Sequence, residues 1–196
     1  MSKVKAQKSR SLISERNRIT LAYLELIKDK VFQKLPEEKK LELVKEVLAI
    51  GDEAAARVLA EYKTNDPRKI ASKIGIKIFG EEKGGLFRSE YRHKRKEIVI
   101  SRKFHEKLLQ QVQSKELSEH LLKLVVAHEL FHHLEAEKMG EVYKRYKFKI
   151  FQLGPLVIEK TIKSLSEVAA QAFTHTLLGL EVSPPVFDYL VLTSFF

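Results

Sequence analysis

The sequence predicts an α+β fold, mostly helical with a small antiparallel sheet. Apolar residues recur at helical spacing over the first sixty positions and again beyond residue 114. Between those regions the short runs IKIF, LFRSEY and EIVIS, bounded by glycine and by charged residues, read as strands. Two of the later helical stretches, one containing AHELFHHLE and one SLSEVAAQAFTHTLLG, carry groups whose chemistry works best if the helices pack together.

The first elements are plain helices. Leu21, Leu24, Leu26 and Ile27 share a helical period, followed by Val31 and Phe32. Pro36 opens a second stretch with Leu41, Leu43, Val44, Val47 and Leu48 toward its inner side. Gly51 is expected to end it and Asp52 to cap a third helix through Tyr62. A boundary falls near residues 64–67, so residues 1–63 read as a helical N-terminal extension and 64–196 as the domain that carries the chemistry. Asp66 followed by Pro67 is a cap ahead of a proline at the first helical position. The short helix that follows closes at Gly75.

The strands come next. LFRSEY and EIVIS are expected to pair across the cationic turn RHKRK. Past Phe104 the helical period returns, and its longest run extends from about Ser114 to Met139 and stops at Gly140. Residues 141–154 follow neither period. A further helix is expected from about Pro155 to Leu178, closed by Gly179, and the proline pair at 184–185 separates it from a last apolar helix.

Composition excludes several classes. The chain has 196 residues, 44% hydrophobic and 32% charged, which suits a globular domain rather than a disordered chain. It has no apolar run long enough to span a bilayer, and its polar start lacks the apolar core of a secretory signal. There is no cysteine, so disulfides and thiolate metal sites are excluded. A reducing, cytoplasmic setting is compatible with this. The net charge of +10 is concentrated in the first fifty residues and in 88–103. Nucleic acid is the disfavoured partner, because no aromatic residues interleave with the basic run in a base-stacking pattern. A solvated cationic turn is the plainer reading.

The chemistry lies at residues 127–135. His128 and His132 are four apart, so their imidazoles project from one helix face one turn apart. That suits two nitrogen ligands of a tetrahedral zinc ion. Glu129 lies about 100° further round the helix, where it can act as a base without ligating. This is the HExxH arrangement, in which the metal acidifies a water and the carboxylate moves its proton. A third ligand must come from elsewhere. Ala136 cannot serve, and Glu135 would have to curl back along the same surface. Glu167, on the second helix among Ala169, Ala170 and Ala172, has better geometry. On spacing alone it is as readily an exposed helix carboxylate. Gln171 is one turn further along the same face. His175, eight residues after Glu167 and about 80° away around the helix, is the candidate for stabilising an oxyanion. His93, His105 and His120 read as bland.

The run from about residue 67 to 180 resembles the ImmA/IrrE family of HExxH metallopeptidases. IASKIGIKI, the hairpin ending in EIVIS, VVAHELFHHLE and EVAAQAFTHTLL occur in the family's order. On the second helix the family's glutamate, small residue, amide, Phe-Ala pair and leucine pair correspond here to Glu167, Ala170, Gln171, Phe173 with Thr174, and Leu177 with Leu178. The resemblance implies a zincin-like packing of the two helices and a zinc endopeptidase acting on a partner protein, a regulator among the candidates. It implies metal ligands at His128, His132 and Glu167 and a catalytic base at Glu129. Residues 1–63 lie outside it. The alternative is a non-catalytic metal-binding regulator. Substrate is expected to pair as an extended peptide with Glu97, Ile98, Val99, Ile100 and Ser101, read as an edge strand beside the metal. Arg92, Lys94, Arg95 and Lys96 would steer an acidic segment toward it.

Overall fold

Local capping signals set several of the helix boundaries in the computed structural model, which describes residues 2–82, 89–103, 106 and 114–186, with side chains from residue 14 on. The order is α1 (Ser2–Leu26), α2 (Lys30–Gln33), α3 (Glu37–Tyr62), α4 (Pro67–Lys73), β1 (Lys77–Glu81), β2 (Ser89–Arg92), β3 (Glu97–Ser101), α5 (Lys115–Leu134), β4 (Phe148–Leu153), β5 (Leu156–Lys160) and α6 (Ser164–Leu178). The carboxylates of Asp29 and Asp66 and the Ser114 hydroxyl accept from the first free backbone N–H groups of α2, α4 and α5. α5 runs on as a π turn, Glu135–Met139, and stops at Gly140, as the sequence predicts; α6 stops at Gly179.

The fold is α+β and mostly helical, with α5 packed on α6 through Phe131 and Phe173, whose ring centroids lie 5.5 Å apart. One hydrophobic cluster runs from Ala22 to Leu177 and takes in α1, α3, α4, β3, α5 and α6. Residues 14–63 therefore share their core with the helices that bear the chemistry.

Four expectations are corrected. Gly51 does not end a helix, because α3 is continuous from Glu37 to Tyr62. Gly51 is the point where α3 meets α6: a Cβ there would come within 2.2 Å of the Ala169 carbonyl oxygen. Asp52 is not a cap. Its carboxylate accepts from Arg18 of α1 at 2.6 Å and from the Thr176 hydroxyl of α6, tying three helices together. The helix expected from Pro155 begins only at Ser164; before it, Leu156–Lys160 pairs antiparallel with Phe148–Leu153 in a hairpin turned at Gly154, which has φ +56°.

The fourth correction concerns the sheet. β2 and β3 pair antiparallel as expected, but β1 pairs parallel to β3, so the three-stranded sheet is mixed, in the order β1-β3-β2. The segment Glu97, Ile98, Val99, Ile100 and Ser101 is therefore its central strand, not an edge. Val99 stands opposite Phe79 on one side and Glu90 on the other, and its side chain is buried. With both flanks paired, β3 has no free backbone groups to offer an extended peptide. Leu86, Phe87 and Arg88 of the predicted second strand, residues 104–105 and 107–113, and residues 187–196 of the last apolar helix lie outside the described residues. Among the described residues no helix is long and apolar enough to cross a membrane.

Candidate metal centre

Helix α5 sorts the polar residues of HELFHHLE onto two neighbours. His128 and His132 point toward α6, whereas Glu129 and His133, each one position on, point toward β2. The Ser89 hydroxyl donates to Glu129 Oε1 at 2.6 Å, and the Tyr91 hydroxyl meets His133 Nδ1 at 2.7 Å. The spacing makes this match. Two residues of strand advance about 6.7 Å and four residues of helix about 6.0 Å, so alternate β2 side chains meet successive turns of α5. Glu129 and His133 are both buried. Burial pushes the His133 imidazole below its ordinary value.

On the other side, three side chains converge. His128 Nε2 lies 3.1 Å from Glu167 Oε2 and 3.2 Å from His132 Nε2, and His132 Nε2 lies 3.5 Å from Glu167 Oε1. Each residue offers one ligand atom, all within 4.8 Å of one another, and together they can hold a metal ion. The donor chemistry fits: with bonds of 2.0–2.1 Å, ligands at tetrahedral angles around an ion sit about 3.3 Å apart. Glu167 is half exposed, so the group can be reached from solvent. Hydrogen bonds from His128, then His132, hold its carboxyl well below the usual range.

His132 is set more firmly than the sequence indicates. Its Nδ1 lies 3.0 Å from Glu135 Oε2, and Glu135 is buried. Burial alone would lower the His132 imidazole; hydrogen bonds with Glu135 and Glu167 outweigh it and raise it to about 10 in the metal-free protein. Glu135 does curl back along its helix, though as a partner of a ligand rather than as a ligand. The spacing of three residues carried that signal.

His175 does not join the site. The charges that act on it are those of Arg18 and Asp52, on the α1 and α3 side. It lies about 80° from Glu167 around α6, and eight residues at 1.5 Å each carry it about 12 Å along the axis. Burial, then Arg18, push it down to about 4. Of the basic turn, Arg92 is engaged by Glu81 and Glu90, and Lys96 by Glu137.

The site and fold together define a two-helix His–His–Glu group that could hold a metal ion, with two buried glutamates, Glu129 and Glu135, beside it. Compared with models of known protein families, with curated proteins and with solved structures, the chain matches none.

Proposed function

We propose that this protein is a zinc-dependent endopeptidase of ImmA/IrrE type, with His128, His132 and Glu167 as ligands and Glu129 as the catalytic base. The observation that carries the reading is the convergence of three ligand atoms from two helices within 4.8 Å, with the Glu129 carboxylate one position from His128 on the same helix. Two imidazoles and a carboxylate with an open fourth side are the donor set of catalytic zinc. When bound, zinc supplies Lewis acidity at that open side. Glu129 would take the proton of an attacking water and return it to the leaving amine, while Ser89 keeps its carboxylate in one orientation. The substrate is a peptide or protein. β2 is an outer strand of the sheet and touches Glu129, so it, and not β3, is where an extended peptide could align beside the reacting groups.

The test begins with elemental analysis of protein purified without added metal. About one zinc per chain is expected in the wild type, and none in His128→Ala. Glu129→Gln should keep the metal and lower the cleavage rate of a proteome-derived peptide mixture, read by mass spectrometry, by at least about 10²-fold. Equal metal in wild type and His128→Ala would refute the ligand assignment. Zinc-loaded wild type that cleaves no faster than background would leave the non-catalytic regulator as the surviving reading.

A further inference from the structure

Three donors need an acceptor at the junction of α5 and α6, and one buried carboxylate meets all of them. Glu135 Oε2 faces His132 Nδ1 at 3.0 Å. Its Oε1 accepts from the Val142 backbone N–H at 2.8 Å and from the Ser166 hydroxyl at 2.6 Å. Glu135 is only 3% exposed, and it opens the π turn in which α5 ends. Local π geometry is uncommon and recurs at functional sites, because the widened turn re-aims a side chain. Ser166 is the residue before Glu167, so the same carboxylate is hydrogen-bonded to a ligand on α5 and to the backbone neighbour of the ligand on α6.

We infer that Glu135 is the positioning residue of the metal centre: it fixes His132 as the tautomer with a proton on Nδ1 and a lone pair on Nε2, while its contact with Ser166 braces α5 against α6 without setting the ligands. This rests on the metallopeptidase reading. A neutral imidazole carries one N–H, and which nitrogen keeps it is decided by the partner of the other. A carboxylate can only accept, so it accepts a hydrogen bond from Nδ1–H, keeps the proton on that nitrogen and leaves Nε2 as the ligating atom. The same negative charge opposes that of a divalent ion held by two neutral imidazoles and one carboxylate. The donor count explains why a carboxylate stands here. Glutamine has one acceptor oxygen, and the Val142 N–H together with the Ser166 hydroxyl claim it. Its amide N–H would then face His132 Nδ1 and favour the wrong tautomer.

The test is zinc affinity, measured with Zn2+ against a chromophoric chelator near neutral pH, alongside thermal melts of metal-free protein. Glu135→Gln should bind zinc about 10- to 100-fold more weakly than wild type. Ser166→Ala removes one donor from Oε1 and leaves the His132 contact, so it should lower the melting temperature and keep zinc affinity near wild type. A purely structural role would make the two variants lose zinc affinity in proportion to their loss of stability, and that result would overturn the inference. So would Glu135→Gln binding within threefold of wild type. Wild type that binds no zinc would instead remove the metallopeptidase reading itself. Should Glu135→Gln fail to fold, the imidazole 15N–1H spectrum of zinc-loaded wild type decides. A slowly exchanging Nδ1 proton on His132 is expected, and its absence counts against the role.

Discussion

Three of the chain's seven histidines fall within six positions of α5, and they divide between two tasks. His128 and His132 converge on Glu167, while His133 locks α5 to β2 through Tyr91. The pairing of His128 with His132 was legible because a four-residue spacing fixes a common face whatever surrounds the helix. The role of His133 was not, since it depends on which strand lies opposite. His175 shows the opposite error: an angle around a helix predicts a shared face, but the rise decides proximity. His175 also gives a pH prediction. It is pushed down to about 4, so between the unfolded value of about 6.5 and pH 4 the unfolded chain binds the additional proton. Its contribution to stability is therefore lost as pH falls through that window. The loss is on the order of 3 kcal/mol at most. His175→Gln should lose less stability than wild type between pH 6.5 and pH 4 in urea titrations. Parallel curves for the two proteins would show that His175 takes up its proton without penalty.

The Asp66 cap was legible because a capping side chain acts on its own neighbours and a proline follows it; Ser114 was read only as the start of a helical run, and the Asp29 cap of α2 was not read. Elements defined by distant partners were not legible. Parallel pairing of β1 with β3 needs no hairpin and leaves no turn signal, so β3 read as an edge. The strands β4 and β5 expose Phe151, Leu153, Leu156, Val157 and Ile158 on both faces, so neither shows the alternation that marks a half-buried strand. Gly51 looked like a stop signal but marks the closest approach of α3 to α6. The distinction sets the sign of a mutation. In an exposed helix interior Gly→Ala stabilises by about 1 kcal/mol. At position 51 the added Cβ would lie 2.2 Å from a backbone oxygen and 2.7 Å from the Ala172 Cβ, so the helices must move apart. Gly51→Ala should therefore cost about 1–3 kcal/mol, or more if the shift reaches Glu167, with weaker zinc binding as a second consequence. A melting temperature at or above that of wild type would disprove the contact. The β2–α5 seam gives a smaller effect. Tyr91→Phe leaves the buried His133 nitrogen without its hydroxyl partner and should cost about 1–3 kcal/mol in the same assay.

Across the whole molecule, the His–His–Glu group joins two helices of the shared core, so binding of an ion there would be linked to global stability. The link also has a pH dependence whose sign follows from the metal-free site. His132 is raised to about 10, so its contribution is fully present below about 6.5 and is lost as pH rises through 10. Glu167 is depressed, so its contribution is present above the ordinary carboxylate value and is lost as pH falls toward its folded value. The His–His–Glu cluster thus supports the metal-free fold most in mildly acidic solution. Zinc needs the same imidazole without its Nε2 proton. Between about pH 6.5 and 8.5 the ion must displace that proton, and affinity should rise up to about tenfold per pH unit. Zinc at 100 times its dissociation constant adds about 2.7 kcal/mol. In a chain of this size that is a gain of roughly 5–11 °C in melting temperature. At a fixed zinc concentration the gain should be smallest near pH 6.5 and grow toward pH 8.5, while the metal-free melting temperature drifts the other way. Titration calorimetry in buffers of different ionisation enthalpy should show about one proton released per zinc near pH 7.5 in wild type, and His132→Ala should release less while binding far more weakly. A zinc-induced shift that stays constant across this range, with no proton release, would mean that His132 holds no Nε2 proton in the metal-free protein and that its contacts with Glu135 and Glu167 do not carry the charge assigned to them.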